Sequence, residues 1–297
     1  METIWANADR VFFEHGVALR RVEASEWRCE AAVHYLSLPP TEFGRRYGLR
    51  PITAIMSMGA APSYSLVFPA RTGKALDVQL SELQQLTYAK KHSDYFRTTR
   101  SLIFLLYAVI YHTKRLAVHY ADAIEHSIQF PHHTDADRVT THSYEAFFEF
   151  DAMVTAAIRA IDSTRYALWQ AYGEKCSVPS SLRRTIDNCR RLPDSVKDRV
   201  EDTWDSRLAY AKEYRDCIQH YVAVGSASWA MLTRIDNLFW TMLLRIPDNP
   251  EAKSAKLFTF DRNLDAMTYA WELVTDVFDL AALILQAAMV NDGNPEK

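Results

Sequence analysis

These 297 residues hold no long unbroken apolar run: the longest, Leu102 to Tyr111, lies between Arg100 and Lys114 and falls well short of the ~20 residues a spanning helix needs. It reads instead as a buried helix. The amino-terminal Met1-Glu2-Thr3-Ile4-Trp5 has no basic region followed by an apolar one, so no secretory leader is expected and the cytoplasm is the default location. Cysteine is scarce; Cys29, Cys176, Cys189 and Cys217 are scattered without paired spacing, which argues against a disulfide framework or a zinc site. Excess positive charge is missing too. A formal net charge of −3 excludes a protein that coats nucleic acid nonspecifically, since that affinity comes from many Lys and Arg neutralising phosphates. Internal repeats, low-complexity tracts, a Gly-rich phosphate loop, a nucleophile elbow and a carboxylate pair at catalytic spacing are all absent from the sequence. His132 and His133 with Asp135, Asp137 and His142 match no ligand spacing and read as a solvated linker, so neither metal nor cofactor is expected.

What is present is a large apolar fraction, 48%, enough for one large core or two modest ones. Residues 1–73 form a region of short strands and turns: between Val17 and Pro69 the apolar runs Ala31 to Leu38, Ile52 to Met58 and Tyr64 to Phe68 are broken by Pro39-Pro40, Gly44, Gly48, Gly59 and Pro62. From 74 to 130 the spacing of Leu76, Leu80, Leu83 and Leu86 predicts one long helix or a helix pair over about 75–129. A further helix is predicted for Ser143 to Tyr172 with Gly173 as its stop, and another near Pro179. Pro193 breaks that one before Asp194 or Ser195 caps the next, which carries Val200, Trp204, Leu208 and Ala211 on one face. Two β-rich runs around Asp236-Asn237 predict a hairpin within Ala227 to Ile246, although Leu, Met and Trp there also suit a helix. A last helix is expected from Asp261 to Val290. The fold class is therefore mainly α.

One segment concentrates chemistry. With residues 211–225 placed on a helix, Tyr214, Cys217, Ile218, Tyr221, Val222 and Gly225 fall on one side, and Arg215, Asp216, Gln219 and His220 on the other. The apolar side should pack inward and the polar side project outward. Asp216 and His220 stand at the i, i+4 spacing that lets a carboxylate orient an imidazole. Arginine grips phosphate through parallel hydrogen bonds. An arginine beside an oriented histidine is minimal equipment for cutting RNA: the histidine moves a proton and the arginine stabilises the added negative charge.

The segment Arg215-Asp216-Cys217-Ile218-Gln219-His220 resembles the motif of the HEPN superfamily, an arginine and a histidine separated by four to six residues, the first of which is polar. The order of helices over residues 140–290 also resembles that family, while the first 140 residues resemble nothing familiar. The resemblance implies a HEPN-like helical bundle, preceded here by long helices and a small β-containing region, in which the motif helices of two copies meet to form one composite site. It implies a metal-independent endoribonuclease, a toxin or antiviral-defence effector, with RNA as substrate and a cognate antitoxin or other regulatory protein as partner. His220 would be general acid or base, Arg215 the phosphate clamp and Asp216 the orienter. Arg183, Arg184, Arg190 and Arg191, with Gln219 and Tyr221, are candidates for holding the RNA, though the arginines equally suit a solvated helix face. The alternative is a non-catalytic helical module whose same face binds a partner protein or a nucleotide. Family toxins silenced by nucleotide addition carry a tyrosine two residues past the histidine. Here Tyr221 follows His220 directly and Val222 takes that place, which speaks against that silencing route.

Overall fold

The computed structural model describes residues 10–13, 17–23, 26–31, 54–57, 76–88, 94–129, 141–173, 177–226, 230–235, 239–262 and 264–292. The chain is mainly α. Seven α-helices stand among the described residues: α1 (Leu76–Tyr88), α2 (Asp94–Gln129), α3 (Thr141–Tyr172), α4 (Leu182–Asn188), α5 (Asp194–Thr203), α6 (Ala209–His220) and α7 (Ala266–Asp292). A π-helical turn, Trp204–Leu208, joins α5 to α6 without a break.

The apolar spacing explains each long helix. Leu76, Leu80 and Leu83 are buried on α1, and Phe147, Phe150, Val154, Ala157, Ile158 and Ile161 on α3. Helix α3 is the centre of the molecule, packed against α2, α7, α4 and α6. It stops at Gly173, where a Cβ would meet the Trp169 carbonyl oxygen at 2.5 Å. By length and composition α7 could cross a membrane, its most apolar 18-residue window within Ala266–Val290 having a mean hydropathy of 1.8, yet 61% of that window is buried. It serves as a core helix, with Phe278, Ile284 and Leu285 out of solvent. Burying each such side chain contributes roughly 1.5–3 kcal/mol.

The run Leu102 to Tyr111 departs from expectation. Leu102, Ile103, Leu106, Val109 and Ile110 are buried, but Phe104, Tyr107 and Tyr111 face solvent. A helix lying on one layer of neighbours can hide only one face.

Strands β1 (Arg10–Phe13), β2 (Val17–Glu23), β3 (Glu26–Ala31), β4 (Ala54–Ser57), β5 (Ala230–Ile235) and β6 (Phe239–Leu244) form one sheet in the order β4-β3-β2-β1-β6-β5. All neighbours are antiparallel except β1 and β6, which run parallel with Phe12 opposite Thr241. The hairpin expected around Asp236-Asn237 is present, with Ile235 opposite Phe239, and the run Ile52 to Met58 contains β4. Leu38, the run Tyr64 to Phe68, the Asp236-Asn237 turn itself and the linker 130–140 lie outside the described residues. Division of the chain at 73 and 140 does not separate the sheet, because β5 and β6 extend the strands of the first region. The sheet meets the helices where β1 and β6 touch α2 and β6 touches α7. Asp265 ties that junction: its carboxylate accepts from the backbone N–H of Leu244 at 2.8 Å and caps α7 by accepting from Thr268 N–H at 2.9 Å.

Candidate functional site

Helix α6 is held by its aromatic side. Tyr214 is fully buried, its hydroxyl donates to the Pro247 carbonyl, and its ring meets Phe150, Tyr210 and Tyr269 edge-on at 5.8, 5.0 and 5.3 Å. Cys217 is also buried, its Sγ 3.6 Å from the Val222 carbonyl. Upstream, the π-helical turn swings Arg207 onto α7, where it pairs with Glu272 and, at 2.5 Å, with Asp276. Burial works against the charged guanidinium, and the two carboxylates outweigh it.

The faces fall as the spacing predicts up to Ile218, and then the helix ends. His220 is its last residue, and Tyr221 leaves the helix with φ −133°. Tyr221, Val222 and Gly225 therefore lie in a turn and a 3-10 segment, not on the buried stripe. Tyr221 is exposed, stacked edge-on to His220 and covered by Lys253 Nζ 4.9 Å from its ring centroid. Gly225 is pressed on α3: a Cβ there would sit 2.8 Å from the Phe147 Cβ.

Among the sequence-predicted residues, Arg215 and Asp216 are brought together and His220 stands apart. Arg215 Nε donates to Asp216 Oδ1 at 2.8 Å, and Lys212 Nζ reaches Asp216 Oδ2 at 2.6 Å. Burial pushes the Asp216 carboxyl up, but the hydrogen bonds and charges of Lys212 and Arg215 outweigh it and hold it below the usual carboxylate range. The expected Asp216–His220 bond is not made. Side chains on a helix lean toward its N-terminus, so Asp216 reaches back to Lys212 at i−4 rather than forward to His220. His220 and Gln219 project into solvent, and no side chain among the described residues hydrogen-bonds the imidazole.

The candidate RNA-holding arginines lie elsewhere. Arg183 and Arg184 are on α4, Arg190 and Arg191 in the turn after it, all exposed. The N-terminus of α4 is anchored where Leu182 N–H donates to Asp162 Oδ1 at 3.1 Å. Asp162 is three turns along α3 from Asp151, the residue beside Cys217, so on the order of 15 Å separates the two groups along the helix.

Two features had no part in the sequence reading. Asp151, on α3 beneath α6, has its Oδ1 buried without a hydrogen-bond partner, and burial pushes its carboxyl up to about 7. Between α2 and α3, His112 Nδ1 meets Glu149 Oε2 at 2.7 Å, Arg115 Nε lies 3.6 Å from Glu149 Oε1, and His119 Nδ1 lies 3.3 Å from Glu145 Oε2. Burial alone would raise Glu149; His112, Arg115 and His119 together hold it below its ordinary value. The signal was there in i, i+3, i+7 spacing for 112, 115 and 119 and i, i+4 for 145 and 149, but only the register between the helices joins the two sets.

His132, His133, Asp135 and Asp137 lie outside the described residues, among which no cluster of His, Cys, Asp or Glu is arranged to hold a metal. No family model matches the chain, and neither does any curated protein or solved structure.

Proposed function

We propose that this chain is a metal-independent endoribonuclease of the HEPN type, acting in the cytoplasm on RNA. The observation that carries the reading is the presence of a half-buried Arg215 and an exposed His220 within six residues of one helix, on an α6 anchored from below by Tyr214. In this mechanism His220 takes the proton of a ribose 2′-hydroxyl, whose oxygen bonds to the adjacent phosphorus while the bond to the 5′-oxygen breaks and that oxygen gains a proton. Arg215 neutralises the extra charge on the phosphoryl oxygens. Asp216 takes a different part from the one expected of it. It holds the guanidinium of Arg215 against the helix, so it positions the clamp rather than the histidine. Two copies facing each other through α6 would supply a second histidine, one accepting a proton while the other donates. A cognate antitoxin or other regulatory protein would restrain such a toxin or antiviral effector.

A second reading draws support from the lone imidazole: with Asp216 engaged by Lys212 and Arg215, the same face serves a non-catalytic module that binds a partner protein or a nucleotide. One experiment separates them. The catalytic reading expects single-stranded RNA to be cut in the presence of a chelator, leaving 2′,3′-cyclic phosphate ends. His220→Ala and Arg215→Ala should each lower cleavage at least about a hundredfold with little change in melting temperature. Ends bearing a 5′-phosphate, or undiminished cleavage in both variants, would sink it.

A further inference from the structure

The exposed large apolar residues are not scattered. Phe104, Tyr107 and Tyr111 on α2 are 72%, 59% and 51% exposed, and Tyr144 and Phe148 on α3 are 51% and 65% exposed. Phe104, Tyr107 and Tyr111 recur at the spacing of one helix face, as do Tyr144 and Phe148. The pairs His112–Glu149 and His119–Glu145 show the two helices antiparallel and fix their register. Tyr111 and Phe148 each precede a member of the bonded pair His112–Glu149, so the five rings form one patch. At about 200 Å² for a whole aromatic side chain, they offer roughly 600 Å². That is the upper end of what a soluble monomer exposes in one patch and close to the ~800 Å² per partner of a standard interface.

We infer that this face is the contact between two copies of the chain, related by a two-fold axis that crosses α2 between Tyr107 and Tyr111. A two-fold axis lying in the face and crossing α2 there lays α2 antiparallel on α2 of the partner subunit. Tyr107 then meets the partner's Tyr111 and Tyr111 meets the partner's Tyr107, which is the reciprocal pairing an isologous contact requires. The charges follow the same symmetry. Arg100 and Arg159 are exposed at one end of the patch and belong to no ion pair among the described residues. Glu145, its side chain 52% exposed, stands at the other end, so each copy sets a basic end on the other's acidic end. Single-stranded RNA stacking on the rings is the competing occupant; it would leave the exposed carboxylate of Glu145 facing phosphates, where a second copy sets it against Arg159 of the partner subunit. The inference is independent of the ribonuclease reading, because α6 packs on a different side of α3, where Tyr214 meets Phe150.

The test is the molar mass of the full chain by sedimentation equilibrium between about 1 and 100 µM, for wild type, Tyr107→Glu, Tyr111→Lys and the double variant. Either single substitution should halve the mass at concentrations where wild type is associated, with an unchanged circular dichroism spectrum because both side chains are in solvent. The double variant should regain at least about tenfold of the lost affinity, since the two-fold sets the new glutamate of one copy against the new lysine of the other. A wild type that is monomeric throughout, single variants of unchanged mass, or a double variant no better than the singles would each overturn the inference. Loss of single-stranded RNA binding in Tyr107→Glu at unchanged mass would assign the face to RNA instead.

Discussion

Asp151 sits in an environment that its ionised carboxylate does not favour. A half-buried carboxyl, its Oδ1 out of solvent without a partner and its pKa pushed up to about 7, favours the folded state when protonated, so stability is full below the unfolded carboxylate pKa of about 4. It is lost progressively as pH rises toward about 7 and changes no further above it. Asp151→Asn removes that dependence. The variant should melt above wild type at pH 8, by on the order of 2 kcal/mol, with the gain shrinking steadily toward pH 4.5 in a series of thermal melts. A gain that is flat with pH would mean the carboxylate is solvated or paired. At this scale the sequence was informative where geometry is local: 100° per residue correctly sent Tyr214 and Cys217 inward and Gln219 and His220 outward. It failed where a side chain must choose between partners. Asp216 has Lys212 four residues before it and His220 four after, and spacing alone does not rank them. The lean of helical side chains does.

Helices were legible because their apolar spacing is long and regular. Spacing leaves one long helix or a pair open over 75–129, and the structure has the pair α1 and α2; the stop at Gly173 and the break at Pro193 follow from those two residues. Ends set by tertiary packing were not: α6 reads as continuing through Gly225, but the chain turns at Tyr221, where the N–H groups of both Tyr221 and Val222 use the Cys217 carbonyl at 2.9 and 3.0 Å. What holds the turn is Gly225 against Phe147, and Phe147 is too deeply buried to yield. Gly225→Ala should therefore cost about 1–3 kcal/mol, the usual scale for overpacking, and displace the turn that adjoins His220. Denaturant titration should show the loss in midpoint, and the RNA cleavage proposed for this site should weaken beyond what lower stability explains. An unchanged midpoint would show that the segment can shift freely.

For the whole molecule, the sheet is what periodicity could not reveal, because strand partners are chosen across the chain. Short β-rich runs announced β4 and the β5–β6 hairpin, but nothing in them says that β6 lies beside β1. A chain lacking residues 1–31 would leave the β1-facing edge of β6 without its partner. Such edges recruit other chains, so the truncated protein should aggregate at concentrations where the full chain stays dispersed, as read by light scattering. A truncated chain that stays dispersed would mean this edge is covered in another way. The same pairing governs the order of events at the ribosome. About 230 residues separate Phe12 from its partner Thr241. At ~5–20 residues per second, β1 waits roughly 10–45 s after emerging before β6 can be made, its outer edge open to chaperones or to neighbouring nascent chains. Closure of the sheet is thus a late event, and the first strand synthesised is among the last to be completed.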